Sequence, residues 1–166
     1  MIFTTKAEYG VRLLVELGCQ PSDRPVSLKA IAEAEGLPLA YLERIAALLK
    51  RAGLIAATRG AQGGYRLVRD PAGITMDEVV LALEGGVAPM SCFAQDADGE
   101  GRVLCSHEND GGEGCATKLL WTRVQSGVLR ALRQTTLAEL IGFAQRGGPL
   151  SLTAARAAEP AAPLPL

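Results

Sequence analysis

Hydrophobic residues recur every three or four positions along several segments that are separated by glycine and proline. The first such segment predicts a helix from about Thr5 to Cys19, with Leu13 and Leu17 one turn apart on its apolar face. Thr5 followed three residues later by Glu8 is typical of a capping box, which favours this start.

Two further helices are predicted before the pattern changes. Ser27 can cap a short helix that ends at Gly36, because serine accepts from the free amides of a first turn. A third helix should run from about Leu39 to Ala52, and Gly53 suits the left-handed position that follows a helix.

Next, two short apolar runs, 54–58 and 65–68, flank a glycine-rich loop at 59–64. Such runs predict a β-hairpin. Three helices followed by a hairpin are typical of a winged helix-turn-helix, in which the third helix enters the major groove. The hairpin loop, called the wing, reaches an adjacent groove or the DNA backbone.

The second half is helical again. A capping box at Thr75 opens a helix that ends near Gly85, and a long helix is predicted from about Ala116 to Gln134. Thr136 caps a last short helix. The long helix has an apolar stripe that packs either on its own domain or on a second copy of the chain: Leu120, Val124, Val128, Ala131 and Leu132.

We therefore predict a mainly α fold with a small β-hairpin, a winged helix-turn-helix plus a long dimerisation helix. Residues 1–86 form the DNA-binding domain and 87–115 a cysteine-bearing loop. Residues 116–146 hold the dimerisation helix and the short C-terminal helix. The Ala/Pro-rich segment 147–166 lacks a periodic core pattern, so we expect a disordered tail.

Composition narrows the class of protein. The 166 residues are 48% hydrophobic and 21% charged, which fits a globular protein, and no apolar run of about 18 residues predicts a membrane span. The N-terminus lacks a secretion signal, so we expect a cytoplasmic location and no membrane partner. Lys and Arg outnumber Asp and Glu by 10 to 7 through Asp70, whereas acidic residues prevail by 11 to 7 after it. An anionic partner is therefore expected at the first half.

An enzyme is not expected. The sequence has no phosphate-binding loop and no Ser-His-acid set, and it contains one histidine and only 4% aromatic residues.

Double-stranded DNA is the partner that the first half predicts. Arginine can pair with guanine or enter a narrow minor groove, glutamate can accept from cytosine, and glycines let the wing approach phosphates. The expected contacts lie at the start of the first helix, at the cap of the second, on the third and in the wing: Thr4, Lys6, Ser27, Tyr41, Glu43, Arg44, Arg51, Arg59, Gly60, Gln62, Gly63 and Gly64.

Cys92, Cys105 and Cys115 lie in an acidic, glycine-rich segment that cannot bury itself. Their spacers of 12 and 9 residues match no standard zinc or ferredoxin pattern. Bound iron or zinc would restrain the segment. The alternatives are a thiol-disulfide switch, or a flexible acidic linker in a protein-interaction module. Cys19 is expected to be a small apolar residue of the core.

Four short motifs closely resemble the IscR/NsrR-type iron-sulfur winged-helix transcription regulators. These are TTKAEYGV at 4–11, LAYLER at 39–44, RGAQGGY at 59–65 and CATKLLW at 115–121. The resemblance implies a homodimer built on the long helix, which binds a pseudo-palindromic operator. It also implies a regulator, more specifically a repressor, that senses iron-sulfur status, redox stress or nitric oxide.

The resemblance further implies that the three loop cysteines hold a [2Fe-2S] or [4Fe-4S] cluster. Two departures stand out: the spacers are longer than in the family, and Lys118 occupies the position of the histidine ligand in IscR-like proteins. Since a protonated lysine cannot ligate, the fourth ligand must lie elsewhere. By resemblance to NsrR-like proteins it is Glu8 of the partner chain, with His107, solvent or a small thiol as alternatives.

Overall fold

The computed structural model describes residues 3–21, 24–60, 62–89 and 116–146. Cys92, Cys105, Cys115 and His107 lie outside the described residues, as does the tail 147–166. The ligand set and the disordered tail therefore stay predictions.

The secondary structure follows the hydrophobic pattern to within about a residue at the predicted bounds. The helices are α1 (Thr5–Cys19), α2 (Leu28–Glu35), α3 (Leu39–Arg51), α4 (Met76–Glu84), α5 (Ala116–Gln134) and α6 (Leu137–Arg146). Strands β1 (Ile55–Thr58) and β2 (Gly64–Leu67) pair antiparallel, and a 3₁₀ turn at Pro71–Gly73 precedes α4. The pattern did not predict that turn, which is too short to show a period.

The start of α1 differs from the prediction. Thr4 is the N-cap, and the carboxylate of Glu84, at the end of α4, accepts from the amides of Thr4 at 3.1 Å and Ala7 at 3.2 Å. The capping box between Thr5 and Glu8 is therefore wrong. A carboxylate from a distant helix satisfies the free amides, and sequence spacing could not reveal it.

The other predicted caps have mixed outcomes. Ser27 Oγ accepts from an amide of α2 at 3.2 Å, as expected. Thr136 and Glu139 form a reciprocal capping box, with bonds of 2.8 and 3.3 Å. Thr75 is the N-cap of α4, but its hydroxyl donates to Asp77 at 2.6 Å and caps no amide.

The core is formed around α1, which packs against α3, α4 and α6. Leucine and isoleucine side chains from α1, α2, α3, β1, α6 and the adjoining loops meet there and are fully buried: Leu13, Leu14, Ile31, Leu42, Ile45, Leu49, Leu54, Ile55, Ile74 and Leu137. This burial holds the three helices of the DNA-binding half as one unit.

The hairpin is attached to the start of α2. Its register pairs Ile55 with Leu67 and Thr58 with Gly64. Val26 and Tyr65 exchange two backbone hydrogen bonds of 2.9 and 2.8 Å, so the chain before α2 adds a bridge on the other side of β2. The wing and the cap of α2 therefore hold fixed positions relative to each other.

The junction of α5 and α6 lies against the start of α4. The amide of Met76 donates to Thr135 at 3.0 Å, and that of Leu137 donates to Ile74 at 2.9 Å. Only the C-terminal part of α5 is held this way. No helix in the described part of the chain is long and apolar enough to cross a bilayer.

Candidate DNA-binding surface and cysteine segment

Helix α3 has one buried and one exposed face. Leu42, Ile45, Ala46 and Leu49 enter the core, whereas the polar side chains of Glu43, Arg44, Lys50 and Arg51 are exposed. Within the described residues none of these four has an ion-pair partner. The face is therefore free to contact base edges and phosphates.

Tyr41 lies between α3 and α1. Its half-buried ring meets Tyr9 edge-on, with centroids 5.7 Å apart, and its hydroxyl is 3.4 Å from the hydroxyl of Thr5. The aromatic pair fixes the angle of the recognition helix against α1. Tyr41 therefore contributes to the packing of α3 on α1, and its contact with DNA stays a prediction.

The side chains of Thr4 and Lys6 contact the end of helix α4 in the same chain. The Thr4 hydroxyl donates to Glu84 at 2.6 Å, while Lys6 Nζ donates to the Leu83 carbonyl at 2.8 Å and lies 3.6 Å from Glu84. Burial would raise the pKa of the Glu84 carboxyl, but bonds from Thr4 and Ala7 and the charge of Lys6 outweigh it and lower the pKa. These contacts tie α1 to α4, and the predicted DNA contacts of Thr4 and Lys6 remain untested.

The wing depends on glycine. Gly60 has φ of +117°, a conformation that other residues rarely adopt, and a Cβ on Gly64 would lie 2.4 Å from the Val26 carbonyl oxygen. The Gly63 amide donates to Gly60 at 2.9 Å and closes the turn. Arg59 lies next to this turn and is exposed. Its exposure suits the wing residue of a winged helix, which reaches toward DNA.

An open depression joins the wing to the start of α2. Ser27 from the helix cap and Gln62 and Gly63 from the wing share its lining with Arg24. The fold thus brings together predicted contacts that are more than thirty residues apart. Arg24 was missed, because a single arginine in a proline-rich connection has no pattern to distinguish it.

The metal-ligand prediction can be compared with the structure only at Glu8. Its carboxylate is exposed and has no hydrogen-bond or ion-pair partner in the described part of the chain. The described residues alone contain no group of three or more His, Cys, Asp or Glu that could hold a metal. Glu8 is therefore available for a ligand role instead of being committed to a cap.

Cys19 behaves as a core residue. It is half-buried against the hydrophobic cluster. Burial, followed by the charges of Glu16 and Glu35, raises the pKa of its thiol. A protonated thiol is a weak ligand and nucleophile, so this shift makes Cys19 less reactive than an ordinary cysteine.

Helix α5 has two apolar sides. Val128 and Leu132 are half-buried against their own domain, whereas 54% of Leu120 and 59% of Leu119 is exposed. None of its 19 residues is fully buried. Packing on its own domain therefore accounts for only part of the predicted stripe.

These features define a winged helix-turn-helix DNA-binding protein with an additional long helix. The chain belongs to the Rrf2 family, described as iron-dependent transcriptional regulators, whose model matches residues 3–142. The resemblance noted in the sequence and the winged-helix fold are both confirmed. The protein is a DNA-binding transcriptional regulator and not an enzyme.

Similar proteins agree with this assignment. Protein rrf2 of Nitratidesulfovibrio vulgaris strain Hildenborough is 35% identical over 141 residues, which are 85% of this chain and 87% of that one. The structure of CymR, the global cysteine regulator of B. subtilis, has a TM-score of 0.66 and 33% identity, and the match covers 86% and 98% of the chains. For T. potens IscR the TM-score is 0.67 and the identity 31%, over 93% and 96%.

Proposed function

We propose that this protein is a cytoplasmic, homodimeric repressor whose binding to a pseudo-palindromic operator depends on an iron-sulfur cluster. Cys92, Cys105 and Cys115 would hold a [2Fe-2S] or [4Fe-4S] cluster that senses iron-sulfur status, redox stress or nitric oxide. One observation carries the proposal. Within the described residues, the helix that leads into the cysteine segment ends at Glu84, the residue that holds the start of α1.

The available donor groups suit such a cluster. Cysteine thiolates are the usual protein ligands of iron-sulfur clusters, most often four of them, so three leave one position for another ligand. Glu8 adds an exposed carboxylate without a partner in the described structure, and we propose it as the fourth ligand, from the other chain. His107 is the less favoured alternative. A bound cluster would supply iron that reacts with oxidants or nitric oxide.

A contact route leads from the end of α4, which precedes the cysteine segment in the sequence, to the predicted DNA-binding face. Glu84 holds Thr4 and Ala7 at the start of α1, and in the next turn of that helix the Tyr9 ring packs on Tyr41 of α3. A rearrangement that displaced the end of α4 would therefore tilt α1 and the recognition helix together. This is the two-state coupling that a cluster-dependent repressor requires.

The dimer would be built on the free side of α5. Leu120, Val124, Gly127 and Ala131 are spaced four, three and four residues apart, which is the spacing of a coiled-coil seam. A Cβ added to Gly127 would meet no atom within 4 Å, so its side of the helix is open. Pairing of two such seams would present two recognition helices to the two halves of an operator.

A second candidate keeps DNA binding but places zinc or a thiol-disulfide switch at the same cysteines. Two observations favour it: the spacers are longer than those of the iron-sulfur regulators that the chain resembles, and the chain is similar to CymR, described as a cysteine regulator. In that case the loop would respond to metal supply or thiol oxidation without holding inorganic sulfide.

Anaerobic purification followed by iron and acid-labile sulfide assays, visible absorption and Mössbauer spectroscopy distinguishes these candidates. We expect iron and sulfide in the native chain, their loss in Cys92→Ala, Cys105→Ala and Cys115→Ala, and their retention in Cys19→Ala. Zinc without sulfide would establish the second candidate. Equal operator affinity with and without cluster, across a range of salt concentrations, would refute cluster-dependent binding.

The fourth ligand is tested by single substitutions measured in the same way. We expect Glu8→Ala to change the absorption spectrum and shorten the lifetime of the cluster, while Glu33→Ala, an equally simple loss of an exposed carboxylate, leaves both unchanged. If His107→Ala has the effect instead, the ligand lies within the loop. If neither does, solvent or a small thiol completes the site and Glu8 is not a ligand.

A further inference from the structure

We propose that Arg24 and Arg66 form a phosphate-binding groove at the base of the wing, and that this groove holds backbone phosphates of bound DNA. It would extend the DNA contact beyond α3 and the wing tip. The inference requires only that the chain binds DNA, and it holds whether or not a cluster is present.

Two depressions that share Arg24 and Pro21 make up the groove. The first lies between the α2 cap and the wing, where Ser27 and Gln62 are among the lining residues. The second continues along β2 past Arg66 and Arg69. Because both contain the Arg24 side chain, they form one path that leads away from the predicted DNA contacts.

The backbone explains why two arginines 42 positions apart meet there. Val26 bridges Tyr65 through the two hydrogen bonds described above, which brings the chain before α2 alongside β2, and Arg24 and Arg66 line the same depression there. The Arg24 amide also donates to the Pro21 carbonyl at 3.1 Å. Side chains alternate along a strand, so Arg66 is exposed while Tyr65 packs against the core.

The charge of this groove is not neutralised within the described residues. Arg24 and Arg66 have no ion-pair partner there, whereas Arg69 pairs with Glu78. Asp70 also lines the groove, and one of its oxygens already accepts from the Ala72 amide at 2.8 Å. Two free guanidinium groups, each able to donate two parallel hydrogen bonds, favour a phosphate.

Phosphate could come from DNA or from a free phosphate compound. The first end of the groove coincides with the cap of α2 and with the wing, which are the parts of a winged helix that approach the DNA backbone. Its lining residues Pro21, Arg24 and Gln62 are exposed, as expected for a protein surface that lies along one strand of DNA. These observations favour DNA as the source.

The test is the salt dependence of DNA binding by the full chain, measured by fluorescence anisotropy on an operator duplex and an unrelated duplex of equal length. Each neutralised phosphate adds about 0.9 to the slope of log K against log salt. We therefore expect Arg24→Ala and Arg66→Ala each to lower that slope by about one on both duplexes. Arg24→Lys should keep the slope, because it keeps the charge.

Arg130→Ala is the matched control, since it removes the same charge from an exposed position on α5. It should leave the slope unchanged. An unchanged slope in Arg24→Ala, or a loss of affinity confined to the operator, would overturn the proposal. Unfolding temperatures equal to that of the native chain would exclude misfolding as the cause.

Titration of inorganic phosphate and pyrophosphate without DNA, followed by calorimetry, separates the two sources. Binding that Arg24→Ala abolishes, with slopes unchanged, would assign the groove to a free phosphate compound and overturn the DNA assignment. Absence of a cluster would refute the proposed sensor, yet the slope comparison would still decide this inference.

Discussion

Glu84 makes the most concentrated set of polar contacts in the described chain. Its carboxylate accepts from the Thr4 hydroxyl and from the amides of Thr4 and Ala7, and Lys6 lies beside it. Only 8% of its side chain is exposed. Charge-assisted hydrogen bonds to a largely buried carboxylate are stronger than exposed ion pairs, because water competes with them less.

Replacement of Glu84 by alanine should therefore destabilise the protein. We expect Glu84→Ala to lower the free energy of unfolding by about 1–3 kcal/mol, since the amides of Thr4 and Ala7 and the Thr4 hydroxyl would lose their charged acceptor. Urea denaturation measures the change. Glu33→Ala removes a carboxylate that is 69% exposed and should cost no more than about 0.5 kcal/mol. Equal effects of the two substitutions on the free energy of unfolding would show that the contacts of Glu84 do not stabilise the protein.

The Glu84 carboxyl also leads us to expect that the stability of the protein depends on pH. Its pKa in the folded protein lies below the ordinary value of 4.5, so its contribution to stability is fully present above pH 4.5 and is lost as the pH falls through the lower folded value. The pKa of Asp77 is also lowered, chiefly because the Thr75 hydroxyl donates to its carboxylate, so Asp77 adds to the same loss of stability in acid. Unfolding temperatures recorded between pH 3 and pH 7 should fall less steeply with acid in Glu84→Gln than in the native chain. An identical fall would contradict the assignment.

At the scale of elements, helix α5 packs on its own domain with one part and leaves apolar side chains exposed on another. Its C-terminal part is fixed through the backbone bonds of Thr135 and Leu137, and Gln125 donates to the Val87 carbonyl at 2.7 Å. Its first two turns extend past these contacts with Leu119 and Leu120 exposed. A helix that is half-covered in one chain is typical of a dimer interface.

Substitution at the seam should dissociate the proposed dimer. We expect Leu120→Glu to shift the protein to monomer in sedimentation velocity, because two carboxylates would oppose each other in an apolar contact. Leu119→Glu is the matched control, since the next residue lies about 100° around the helix and off the seam. Dissociation by both, or by neither, would place the interface elsewhere. The thermal stability of each chain should change little, as both side chains are exposed.

For the whole molecule, the proposed DNA surface would combine two kinds of contact. Glu43 and Arg44 on the exposed face of α3 would contact base edges, and Arg59 in the wing would contact a neighbouring groove. Arg24 and Arg66 would add phosphates that carry no sequence information. Affinity for any DNA and preference for one operator would therefore depend on different residues.

This division gives an expected pattern across duplexes. Arg44→Ala should weaken binding to the operator by about 1–3 kcal/mol and relax the preference at one base pair, because a bidentate pairing with guanine is lost. Binding to unrelated DNA should change much less. Competition assays with operators mutated at each position measure both effects. A uniform loss over all sequences would show that Arg44 contacts only phosphate.

Much of the fold could be predicted from periodicity. The bounds of α1 and α5 are as expected, the order of three helices and a hairpin led to the winged helix, and four short motifs led to the family. The wing was predicted from its glycines, and the structure shows why Gly60 and Gly64 cannot be replaced freely. These features are local, since a helix face or a turn is determined by residues a few positions apart.

What the sequence determined by itself is therefore the helices, the hairpin, the family and the set of cysteines. Only the tertiary structure decided that Glu84 and not Glu8 caps α1, that Tyr41 packs on Tyr9, and that Arg24 joins Arg66 beside the wing. The physical reason is that each of these pairs is far apart in the chain. Contacts of this kind arise when helices pack, and no spacing between neighbouring residues records them.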